Sequence, residues 1–117
     1  MQLITRFYEF MKRSGTSESY QKNNLKTIIY YGRFLGNSIS FNEVKNKTQI
    51  ISFLDTKFKT TEEDPDKRWI TTCNDYLGRI KYFFRWMHNH LNKEFEEVQF
   101  SDWETPGFVT IKTQNQR

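Results

Sequence analysis

The sequence predicts an all-α fold, a four-helix bundle with an irregular C-terminal tail, and three observations carry that prediction. From Arg68 to Leu91 the apolar residues Cys73, Leu77, Ile80, Phe84, Met87 and Leu91 recur at steps of three and four, the period of a helix face rather than of a strand. Two earlier stretches have the same period and stop at Ser14-Gly15 and at Gly36-Asn37, the glycine-containing ends typical of helices. Eleven Phe, six Tyr and three Trp supply core volume in a chain of 117 residues whose mean hydropathy is only −0.83.

Each element follows from local signals. A first helix from about Leu3 to Arg13 puts Leu3, Phe7, Phe10 and Met11 on one side. A second begins after Thr16-Ser17, with Ser17 as N-cap and Glu18 favourable in the first turn, and runs to Leu35 with Leu25, Ile28, Tyr31 or Gly32, and Leu35 inward. Residues 37–45 are too short and polar for another long helix, but Ile39, Phe41 and Val44 suit an anchored connection. A third helix, Lys47 to Phe58, takes Asn46 or Thr48 as its cap and faces Ile50, Leu54 and Phe58 inward. The acidic, proline-containing loop 59–67 leads into the fourth helix, whose length of about 24 residues would span roughly 36 Å. Past Asn92, Pro106-Gly107 prevents one continuous helix. Phe95, Val98, Phe100, Trp103, Phe108, Val109 and Ile111 must fold back on the bundle or meet a neighbour, with Val109-Thr110-Ile111 able to become a strand if an edge is offered. The chain therefore divides into a helical domain, 1–92, and a tail or linker, 93–117, whose Gln114-Asn115-Gln116-Arg117 ending reads as the start of a connection in a longer protein.

Charge is segregated. Residues 1–59 hold ten Lys and Arg against four acids, a net +6, and residues 67–93 hold six against Asp75, a net +5. The acids collect at 62–66 and 94–104. Basic helices joined by acidic connections favour a polyanion partner, because Lys and Arg on a folded face displace counterions from a phosphate backbone. The N-terminus does not read as a signal peptide and no apolar run approaches the roughly 20 residues a bilayer crossing needs, so a cytoplasmic protein with no membrane partner is expected. A single cysteine, Cys73, excludes an internal disulfide and suits a small core residue. His88-Asn89-His90 places two imidazoles about 200° apart on a helix, unsuited to sharing an ion, and solvent-exposed helix-end histidines are expected instead. The carboxylates at 62–66 lack the alternating ligands of a calcium loop and suit a solvated turn, so neither a metal nor another cofactor is expected.

The order of parts resembles the N-terminal core-binding domain of tyrosine recombinases and phage-type integrases, of archaeal type. The resemblance rests on LITRFYEFMKR, SGTSES, LKTIIYYGRFL, NKTQIISFL and TCNDYLGRIKYFFRWM, within which Thr72, Asn74, Leu77, Ile80, Phe83, Phe84 and Arg85 match the last-helix pattern. DWETPGF resembles the interdomain linker. Two positions depart from the pattern, Asn24 standing where tyrosine is usual and Tyr20 where threonine is common. The resemblance implies a SAM-like domain that clamps one side of double-stranded DNA for DNA integration or recombination. A separate C-terminal catalytic domain would grip the other side, and copies would associate on the DNA. The His-x-x-Arg run of such a catalytic domain is absent, no tyrosine sits in a nucleophile motif, and this chain is not expected to be an enzyme.

The candidate DNA contacts are Lys67, Arg68, Thr72, Asn74 and Arg79 around the fourth helix, and Lys22, Lys26 and Arg33 along the second. Arg and Lys hold phosphates, Thr donates to phosphate oxygens, and Asn or Arg can read base edges. Arg68 and Arg79 are both expected outside the core. The alternative function is a free-standing helical module that binds a protein partner through Phe100, Trp103 and Phe108.

Overall fold

A computed structural model describes residues 2–90 and 100–113; Leu91, Phe95, Val98 and the linker-like 114–117 lie outside the described residues. Four α-helices, α1 (Gln2–Arg13), α2 (Glu18–Leu35), α3 (Thr48–Asp55) and α4 (Arg68–His90), form an all-α bundle with an irregular tail, and no strand occurs among the described residues. No helix there is long and apolar enough to cross a membrane.

The stop after α1 depends on Gly15, whose φ of 77° is the left-handed geometry that lets the chain reverse, while Thr16 Oγ1 donates to the Met11 carbonyl at 2.9 Å. Ser17 then caps α2, its Oγ accepting from the Tyr20 N–H at 3.1 Å. On α2 the inward positions are shared between Ile28, Tyr31 and Leu35 and the buried polar Gln21, Asn24 and Thr27, with Leu25 only half-buried. Those polar groups are bonded locally: Gln21 Nε2 donates to Thr16 O at 2.8 Å, Asn24 Nδ2 to Tyr20 O at 2.9 Å, and Thr27 Oγ1 to Asn23 O at 3.1 Å. Gly32 packs closely under Phe41, a Cβ there coming 3.1 Å from the ring tip, so that a larger residue would push the ring by a few tenths of an ångström. Phe41 belongs to a 3₁₀ turn, Phe41–Glu43, opened by the Ser40 N–H donating to Glu43 Oε1 at 2.8 Å, and Val44 behind it is fully buried.

The third helix is shorter than its sequence pattern. It starts with a reciprocal pair, Gln49 N–H donating to Asn46 Oδ1 at 3.2 Å and Asn46 N–H to Gln49 Oε1 at 3.1 Å, and ends at Asp55. Because the 3.6-residue period stops there, Phe58 does not face inward as expected: it is 60% exposed and sits edge-on against Trp69. Phe53 takes the core position, 5.2 Å from the Tyr31 ring.

The acidic loop caps α4. Asp64 Oδ2 accepts from the Trp69 N–H at 2.8 Å, placing a carboxylate at the positive end of the helix, and Glu63 accepts from the Thr60 N–H and hydroxyl, bonds that hold its carboxyl below its ordinary pKa. The expected stripe of α4 is buried from Cys73 to Met87, but Ile70, Phe83, Trp86 and Asn89 are buried as well. The second half of the helix is therefore covered on more than one side. Phe7 of α1 packs on Tyr82, Phe83 and Trp86 at 5.1 to 5.3 Å between centroids.

The tail supplies the other cover. Asn89, fully buried, binds the Glu104 backbone twice, Nδ2 donating to its carbonyl at 2.8 Å and Oδ1 accepting from its N–H at 2.9 Å. Lys81 Nζ donates to Ile111 O at 2.8 Å, Phe108 stands edge-on to Phe84, and Trp103 and Val109 join the core. Val109 closes a 3₁₀ turn, Gly107–Val109, so no strand forms there. Residues 100–113 thus share one core with the bundle. The two histidines at the end of α4 part company: His88 stays about a third exposed, 3.4 Å from Glu104, whereas His90 is not the expected solvent-exposed group but packs against Phe10 and Trp103 at 5.0 and 5.3 Å, because the tail returns over this end of α4.

Candidate nucleic-acid interface

Lys22, Lys26 and Arg33 on α2 and Arg68, Thr72 and Arg79 on α4 repeat one spacing, i, i+4, i+11, so each trio lies within a stripe about 40° wide. The α2 trio lies on its solvent side, all three exposed. Lys22 pairs with Glu18 at 3.4 Å, Lys26 stands 5.8 Å from the Tyr30 ring, and Arg33 edges a cavity of about 750 Å³ walled by Leu3, Ile4, Ile29, Ile39 and Phe41. On α4, Arg68 reaches Asp66 at 3.8 Å with both side chains more than three-quarters exposed, and Thr72 is exposed. Ion pairs this open contribute about 0.2–1 kcal/mol, so Lys22 and Arg68 can exchange their carboxylates for phosphates at little cost.

Arg79 differs from the expectation that it stands clear of the core. It is half-buried, its Nη1 donating to Thr27 Oγ1 at 3.1 Å and its guanidinium 5.9 Å from the Tyr76 ring, because α2 packs directly over this part of α4. Lys67 precedes α4 with φ 54°, a left-handed geometry unusual for a residue with a Cβ, while its N–H donates to Asp64 O at 3.0 Å. Asn74 leaves the group: two residues from Thr72, it points about 200° away and is half-buried beside a cavity lined by Leu54, Cys73, Leu77 and Ile111. The structure therefore gathers Arg68, Thr72 and Arg79, sets Lys22, Lys26 and Arg33 along α2, and separates Asn74.

A cation the sequence pattern did not single out completes the surface. Lys57, just past α3, sits 5.2 Å from the Phe53 ring and 5.4 Å from the Tyr76 ring. Lys26, Lys57 and Arg79 each lie over an aromatic ring, and none of them makes an ion pair among the described residues. Such cations keep their full charge available to a polyanion while the rings hold their aliphatic stems in place. The missed signal was the early end of α3, which turns Lys57 towards α4.

The chain matches no family model, no curated protein and no solved structure at a significant level.

Proposed function

We propose that this chain is the DNA-binding N-terminal domain of a site-specific tyrosine recombinase or integrase, clamping duplex DNA for chemistry performed by a separate catalytic domain. The observation that carries the reading is the run of cations along α2 and α4, with Lys26, Lys57 and Arg79 making no ion pair among the described residues, on helices whose acids are displaced into the connections. The likeness of TCNDYLGRIKYFFRWM to the last helix of recombinase core-binding domains supports the specific family. Proteins of this kind work on chromosomal or phage DNA in the cytoplasm. The protein-partner alternative relies on three tail rings, of which Trp103 is 7% exposed and Phe108 half-buried, leaving Phe100 alone at 60%.

Titration of a duplex across a range of salt concentrations tests the proposal. With roughly five phosphates contacted, log K falls against log salt with a slope near −4 to −5. Lys26→Glu together with Arg68→Glu, both at exposed positions, weakens binding without unfolding the bundle. Arg79→Gln is the appropriate change at the half-buried position, because a glutamine amide can still donate towards Thr27. Absence of duplex binding at low salt, or binding insensitive to salt, rejects the proposal.

A further inference from the structure

The seam between α2 and α4 carries rings as well as charge. The α2 residues Tyr20, Asn23, Thr27, Tyr30 and Phe34 step by three and four along one face. They meet α4 in reverse order: Tyr20 lies 5.9 Å from the Tyr82 ring, Thr27 takes the hydrogen bond from Arg79, and Phe34 packs 5.4 Å from Phe53, which stacks on Tyr76 at 6.0 Å and 9°. From Tyr20 to Phe34 the helix advances about 21 Å. Over that distance Tyr20 and Phe34 are 44% and 43% exposed, and the cations Lys26, Arg79 and Lys57, which make no ion pair among the described residues, stand between and beside them.

At the Tyr20 end the seam opens into a hollow of about 490 Å³ walled by Phe10, Tyr20, Tyr82 and Phe100, with Ser14, Thr16 and Ser17 around its mouth. Its rings are held from behind by Trp103, stacked on Tyr82 at 5.9 Å and 19° and 4.9 Å from Phe100. Four preset aromatic walls suit either a flat π-system or a soft cation. A cation is disfavoured, because the Arg85 guanidinium already lies 5.2 Å from the Phe100 ring and, among the described residues, no carboxylate lines the hollow. A paired base offers no free face to such a wall, whereas an unpaired one does.

We infer that the α2–α4 seam binds unpaired bases of DNA, one of them in the hollow between Tyr20, Tyr82 and Phe100, with Arg79, Lys26 and Lys57 on the strand's phosphates. The inference rests on the reading of this chain as a DNA-binding domain and assigns its ligand as locally single-stranded DNA.

Fluorescence anisotropy at one low salt concentration, with three labelled probes of equal length, tests it: a paired duplex, that duplex with a single unpaired base, and a single strand. The protein binds the two probes with unpaired bases about tenfold more tightly than the duplex, as one stacked base would give. Tyr20→Ala combined with Phe100→Ala removes that preference and leaves duplex affinity unchanged, while Tyr20→Trp keeps it. Both positions are exposed, and an unchanged thermal midpoint confirms that the variants fold. Equal affinity for all three probes, or a preference that survives the double variant, overturns the inference while leaving duplex binding intact as a separate result. Binding of single strands without duplex binding supports the seam and rejects the duplex clamp; binding of no DNA rejects both.

Discussion

Leu77 and Phe84 show how individual side chains hold the long helix in place. Both are 2% exposed, on the stripe that α3, α2 and the tail cover, and truncation leaves a cavity that rigid neighbours cannot fill. Either changed to Ala costs about 2–5 kcal/mol, read as a lowered midpoint in thermal or urea unfolding; an unchanged midpoint for both would mean that the wrong face of α4 has been assigned inward. Tyr82 gives a pH signature. Burial, helped by the neighbouring Tyr20, pushes its phenol up to about 12, from an ordinary value of 10.0. Above pH 10 the unfolded chain gives up that proton while the folded chain keeps it, so the unfolded state binds fewer protons and stability falls as pH rises from 10 towards 12. Burial raises the Tyr31 phenol in the same direction. Thermal melts between pH 9 and about 11.5 should show a shallower loss for Tyr82→Phe than for the parent; identical slopes would count against the burial of this hydroxyl.

At the scale of elements, helix ends were legible where a side chain or glycine marks them and illegible where packing decides. Ser17 and Gly15 announce their roles because capping is a local hydrogen bond and a local dihedral. Phe58 misled because periodicity cannot show that α3 stops at Asp55, and the same early stop hid Lys57. Asn89 reads in the sequence as one polar residue between two histidines, since its two bonds to Glu104 exist only once the tail has returned, while its third, to the Arg85 carbonyl at 2.7 Å, stays within α4. Asn89→Ala leaves the Glu104 N–H and carbonyl without that partner, a loss of about 1–3 kcal/mol for each group that stays buried. Residues 100–113 should then exchange amide hydrogens and yield to protease faster than α1 to α3, and uniform protection would show that Asn89 does not dock the tail.

For the whole molecule, the bundle and its basic helices were foreseeable because apolar period and net charge are properties of sequence alone. The seam was not, since it depends on which face of α2 meets α4, as the bond from Arg79 to Thr27 fixes and as Asn74, turned to the opposite side, illustrates. The arrangement also bears on chemistry. Strand cleavage needs a nucleophile converging with phosphate-binding groups, and Tyr82, one turn from Arg79, is locked between Phe7, Tyr20 and Trp103 with its hydroxyl held protonated by burial. Incubation with supercoiled and nicked DNA, with and without magnesium, should leave topology unchanged and trap no covalent adduct; a phosphotyrosyl adduct at any tyrosine would make the chain an enzyme in its own right.

Cys73, the only cysteine, is 4% exposed and lies between α3 and α4 with its thiol donating to the Leu54 carbonyl at 3.4 Å, and burial pushes its pKa up. Because the thiolate is the reactive form and Cys73 is almost wholly covered at the wall of the cavity beside Asn74, capture by a thiol reagent speeds up when α3 swings away and lets water in. The protein thus carries its own stopwatch for the parting of its shortest helix from its longest. If a DNA strand lying across Lys57 and Tyr76 staples α3 to the seam, saturating DNA should slow labelling at Cys73 severalfold. An unchanged rate would show that α3 breathes independently of whatever the seam holds.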